Sequence, residues 1–102
     1  MLIHSVYFWL KEDLTEEVQQ SFYEGLLALS QIPTAIKVHI GTPAETGDRD
    51  IVDNTYTCGI VVIFNDLAGH DTYQNHQIHL DFLSRFSPCW DKILIYDMDI
   101  QE

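Results

Sequence analysis

The chain begins with Leu2-Ile-His-Ser-Val-Tyr-Phe-Trp-Leu10, a run rich in β-branched and aromatic residues that reads as a strand. His4, Val6, Phe8 and Leu10 share one face of it; Ile3, Ser5, Tyr7 and Trp9 share the other. Both faces carry large apolar groups. The period then lengthens. Thr15 suits an N-cap, with Glu16 and Glu17 in the electropositive first turn, and Val18, Phe22, Leu26 and Leu29 form one stripe of a helix over about residues 15–30. Pro33 blocks its continuation. Residues 35–41 read as a second strand. Residues 42–54 hold Pro43, Gly47, Asp48, Asp50 and Asp53 and read as a long mobile loop. Residues 56–64 form the third and most apolar strand. Asp66 caps a second helical region that breaks near Asn75 and resumes from His76 to Phe86, with Ile78, Phe82, Leu83 and Phe86 as its buried stripe. Ser87-Pro88 stops it, and residues 92–100 read as the last strand.

The order β-α-β-β-α-β is that of the split βαβ, ferredoxin-like α+β arrangement: a four-stranded antiparallel sheet with two helices on one face, in a single domain spanning residues 1–102. Two helices cover only one side of such a sheet. An antiparallel sheet with one wet face alternates apolar and polar residues, yet here Tyr7, Trp9, Val61 and Ile63 are set against Val6, Phe8, Ile60, Val62 and Phe64. A broad apolar face left in water is rarely tolerated by a monomer. A second copy of the sheet would cover it, so a homodimer with its sheets packed face to face as a barrel is expected.

Composition narrows the partners. The formal charge of −11 argues against nucleic acid and against anionic membrane surfaces. No stretch approaches the roughly 18 apolar residues of a membrane span. The N-terminal segment lacks a basic region and a small-residue cleavage site, which makes the cytoplasm the expected location. Two cysteines, Cys58 and Cys89, are too few for a disulfide scaffold.

The chemistry concentrates in Tyr73-Gln-Asn-His76-Gln-Ile-His79-Leu-Asp-Phe82. Imidazole exchanges its proton near neutral pH, and a phenol both donates and accepts hydrogen bonds. His79 and Tyr73 are therefore the candidate acid/base pair. At i and i+6 they lie about 120° apart on a continuous helix, so their convergence requires the break near Asn75. His4, on the strand face assigned to the helices, is the candidate opposite wall. His76 stands at the helix break, as a cap or a further pocket residue. His76 and His79 are spaced i,i+3, but no HExxH or cysteine pair completes a coordination set, and neither metal nor cofactor is expected.

Several stretches carry a resemblance: Ile3-His4 to Lys11, Gly25-Leu-Leu-Ala-Leu with Ile32-Pro33, Phe64-Asn-Asp-Leu67, Tyr73 to His79, and Pro88-Cys-Trp-Asp-Lys-Ile-Leu-Ile-Tyr-Asp97. Taken in order and spacing, the chain resembles the stress-responsive A/B barrel (Dabb) family of the dimeric α+β barrel superfamily. The resemblance implies the dimeric barrel. It extends in the Tyr73–His79 segment to a plant polyketide cyclase, which closes a linear poly-β-keto chain by intramolecular aldol condensation. Its catalytic histidine and tyrosine fall on His79 and Tyr73, and a pocket histidine of its first strand falls on His4. A further pocket histidine falls on Cys58, which is a small apolar residue by its own pattern. Gln77 stands where the family usually has proline. The expected function is the binding of a small, largely apolar, oxygen-bearing molecule, with cyclase-type His/Tyr chemistry. The competing expectations are a non-enzymatic stress-response or structural dimer and a cofactor-free monooxygenase.

Overall fold

The computed structural model describes residues 1–102. Strand β1 (Leu2–Leu10) leads into α1 (Glu16–Ala28), followed by β2 (Lys37–Gly41) and β3 (Cys58–Phe64). Two short helices, α2 (Leu67–Asn75) and α3 (Gln77–Phe86), then precede β4 (Trp90–Asp99). The four strands form one antiparallel sheet in the order β2-β3-β1-β4. This is the ferredoxin-like fold, with the second helical region in two pieces.

Local chemistry accounts for the helix starts. The Thr15 hydroxyl accepts a hydrogen bond from the Val18 amide at 3.2 Å, and the Asp66 carboxylate accepts one from the Gly69 amide at 2.8 Å. Between α2 and α3, His76 adopts an extended backbone and its Nδ1 accepts from the Ile78 amide at 3.1 Å. One residue therefore ends one helix and caps the next, and the axis changes direction there.

The core lies between the helices and one sheet face. Leu2, Val6 and Phe8 of β1, with Cys58, Ile60, Val62 and Phe64 of β3, meet Phe22 and Leu26 of α1 and Phe82 and Phe86 of α3. Phe22 is fully buried, with its ring 5.2 Å from Phe8 and 5.7 Å from both Phe82 and Phe86, centroid to centroid. The buried stripes differ from the periodic reading. Val18 and Leu83 are exposed, and Ile78 is only partly buried. The break at His76 rotates α3 so that His79, Phe82 and Phe86 form its inner face, a spacing of i, i+3 and i+7.

The opposite face of the sheet has no helix over it. Tyr7, Trp9, Leu94 and Tyr96 line an open cleft of about 290 Å³ there with Tyr56 and Asp53. Tyr96 and Met98 are largely exposed. The edge strand β4 is also bare on the helix side, where Ile93 and Ile95 retain much of their surface. Residues 42–57 join β2 to β3 without helix or strand. No helix is long and apolar enough to cross a membrane.

Candidate active site

A cavity of about 180 Å³ lies between the sheet and α3, lined mostly by apolar side chains: Val6, Phe8, Ile60, Phe82, Ile93 and Ile95 among them. Polar side chains reach it from three elements: His4 from β1, Tyr73 and Gln74 from α2 and His79 from α3. His4, Tyr73 and His79 are buried. The Tyr73 ring centroid lies 4.9 Å from that of His79 and 6.1 Å from that of His4. The break at His76 makes this possible. Tyr73 ends one helix segment and His79 begins another, so the 120° offset of a continuous helix does not apply.

The hydrogen bonds define the proton inventory. His79 Nδ1 lies 3.1 Å from the Gln74 carbonyl oxygen. A carbonyl only accepts, so Nδ1 carries the proton and Nε2 is left with its lone pair. Burial pushes the His79 pKa down; the hydrogen bond to the Gln74 carbonyl opposes it, and the neighbouring His4 and His70 add smaller lowering contributions. The imidazole is thus neutral at neutral pH and offers one basic nitrogen. Burial pushes the Tyr73 pKa far up, which keeps the phenol protonated as a hydrogen-bond donor. His4 faces Asp97 directly across the β1–β4 ladder, and its Nδ1 lies 2.5 Å from Asp97 Oδ1. The carboxylate holds the imidazole in one orientation.

The other two residues named from the sequence lie elsewhere. Cys58 is fully buried in the core beside Tyr23, and desolvation raises its thiol pKa to about 11. It does not line the cavity, although its pairing partner Phe8 does. His76 spends its Nδ1 on the helix cap and likewise lies outside the cavity. His76 and His79 therefore do not act as a pair.

Three contributors escaped the sequence reading. Asp97 has a local signal: it continues the Ile93, Ile95 alternation, so a carboxylate stands at an inward position of β4. His70 precedes Tyr73 by three residues on α2 and so shares its helix face; its ring centroid is 5.2 Å from that of His4. The Gln74 contribution comes from its backbone and has no signal in residue type. His4, His70 and Asp97 are also the group whose ligand atoms come close enough to hold a metal ion.

The sheet order, the split second helix and the cavity together define a ferredoxin-like protein of the A/B barrel type. The chain belongs to the stress responsive A/B barrel domain family, which it matches over residues 2–100. No curated protein matches it. Among solved structures it is similar to an Arabidopsis thaliana protein, with TM-score 0.83 and 18% identity over 100% of this chain and 97% of that one. It is also similar to the hydroxynitrile lyase of Passiflora edulis, with TM-score 0.82 and 22% identity over 99% and 94% of the two chains. A dimeric protein of unknown function from Bacteroides fragilis superposes with TM-score 0.75 and 22% identity over 97% and 95%. At these identities the likeness is one of fold.

Proposed function

We propose that this protein is a homodimeric A/B barrel that binds a small, largely apolar, oxygen-bearing molecule between β1 and α3, with His79 as general base and Tyr73 as hydrogen-bond donor. The observation that carries the reading is the arrangement of His79. Its Nδ1 is committed to the Gln74 carbonyl, its Nε2 is free, and it lines an apolar cavity beside a protonated phenol. A base that takes an acidic proton next to a carbonyl, and a donor that stabilises the resulting enolate, are the two groups an aldol closure requires. Each well-placed proton transfer contributes on the order of 10²–10⁴-fold. His4, oriented by Asp97, is the third polar contact. Size limits the ligand. An apolar cavity of about 150 Å³ holds one benzene ring, so 180 Å³ fits a single ring with a short substituent. The hydroxynitrile lyase of the same fold supports small-molecule chemistry on this scaffold.

The homodimer, for which a dimeric protein of the same fold is a precedent, forms in this reading through the bare sheet face, where Tyr7, Trp9, Leu94 and Tyr96 await a cover. The two unpaired, buried thiols suit a cytoplasmic setting. The test is a ¹⁵N-histidine NMR titration with one-ring aryl ketones and β-diketones. Expected are saturable shifts at His79 and His4 in the wild type, and loss of the His4 shift in His79→Ala while the dimer and its melting temperature persist. Absence of any shift at these residues with all probes, or a large loss of stability in His79→Ala, favours the second reading, a structural dimer with a filled core.

A further inference from the structure

His4, His70 and Asp97 come from three separate elements, β1, α2 and β4, and nothing in their sequence spacing announces a shared role. In the fold, one nitrogen of each imidazole and one carboxylate oxygen all lie within 4.8 Å of one another. Two imidazoles and one carboxylate are a ligand set that first-row divalent ions favour, with coordination positions left open for water or another oxygen donor. We propose that His4, His70 and Asp97 form a binding site for one such ion, Zn²⁺ or a close analogue, in each protomer.

The geometry needs a small closure. Bonds of about 2.0–2.2 Å place the ligand atoms of a tetrahedral site about 3.4 Å apart. The adjustment falls on the movable members. The side chains of His70 and Asp97 retain 16% and 44% of their exposure, whereas His4 is held in the sheet at 3%. The side-chain hydrogen bonds of His70, to Asp71 at 3.0 Å and to Gln74 at 3.3 Å, are ones it can exchange for an ion. His4 and Asp97 are already joined, and the ion takes the place of the proton between them. The net charge of −11 favours cation entry throughout. The site sits where His4 enters the cavity wall, so its open positions lie near the space that Tyr73 and His79 also line. The inference does not depend on the organic ligand, because the ion is counted without one.

The experiment is equilibrium dialysis of the purified protein against Co²⁺ alone, followed by the visible d–d spectrum and displacement with Zn²⁺. Expected is one equivalent per protomer, a d–d band stronger than that of aqueous Co²⁺, and loss of the band on adding Zn²⁺. His70→Ala and Asp97→Asn should each weaken binding at least tenfold, a loss that metal sites show even for outer-shell partners. His39→Ala, an exposed histidine on β2, should leave binding unchanged. A second readout needs no variant. Zn²⁺ should move the ring ¹⁵N resonances of His4 and His70 in the wild-type protein. Less than half an equivalent bound at millimolar Co²⁺, wild-type affinity in folded Asp97→Asn, or resonance shifts confined to His39 or His76 would each overturn the proposal.

Discussion

Gly25 lies where α1 crosses α3, and replacing it tests how tightly that crossing is packed. In an exposed helix, Gly→Ala stabilises by about 1 kcal/mol because the unfolded chain loses freedom. Here the added methyl would lie 2.5 Å from Phe86 Cε2 and 3.2 Å from Phe82 Cδ1. No carbon pair sits at 2.5 Å, so the Phe86 ring must move. It has little room, with its centroid 5.3 Å from Phe82 and 5.7 Å from Phe22, and only 4% of its surface is exposed. Overpacking of this kind costs about 1–3 kcal/mol, and a clash this short belongs in the upper part of that range. The clash therefore wins over propensity, and Gly25→Ala should destabilise by about 1–2 kcal/mol. For a domain of this size that is a fall in Tm of about 5–15 °C. The assay is thermal melting by circular dichroism at one fixed protein concentration, because the proposed dimer would make Tm concentration-dependent. In a Phe86→Leu background the ring edge is gone, and the same glycine change should become neutral or stabilising. A rise in Tm on Gly25→Ala in the otherwise wild-type chain would refute the reasoning, since it would mean that the aromatic layer yields freely.

His79 is buried neutral with a lowered pKa, so its contribution is present in full above the unfolded-chain value of about 6.5 and is lost as pH falls towards the lower folded value. Wild-type Tm should accordingly drop more steeply than that of His79→Gln on going from neutral to mildly acidic pH; parallel curves would count against a buried neutral imidazole. Trp9→Glu or Val61→Glu places a charge on the sheet face that the proposed dimer would bury, at a cost of several kcal/mol, and should dissociate or unfold the protein. Sedimentation of the wild type as a stable monomer at micromolar concentration would sink the dimer. With its thiol pushed up to about 11 and fully enclosed, Cys58 should resist a disulfide reagent in native Cys89→Ser protein and react on adding denaturant; prompt native labelling would show that the β3 core opens readily.

The family over residues 2–100 and the ferredoxin-like element order were legible in the chain itself. The element order rests on local signals, namely capping at Thr15 and Asp66, the apolar strands and a helix break near Asn75, and the family on the resemblance of stretches such as Tyr73–His79 and Pro88–Asp97. The alternation of β1 likewise placed His4 on the helix side. Element ends were less legible. β4 begins at Trp90 rather than at Lys92, because pairing of Trp90 with Leu10 extends the ladder past a register shift. β3 begins at Cys58 rather than at Tyr56, where pairing with β1 starts. What only the tertiary structure decided is which polar groups meet. The facing of Asp97 and His4 depends on the register of two strands 93 residues apart in sequence. The approach of His70 to His4 depends on how α2 seats on the sheet, and the proton on His79 Nδ1 depends on a backbone carbonyl that any residue could supply. Local patterning sets which way a side chain points, because the helix and strand periods are short-range properties of the backbone. Which partner it finds is set by long-range register and packing, which no single stretch of the sequence encodes.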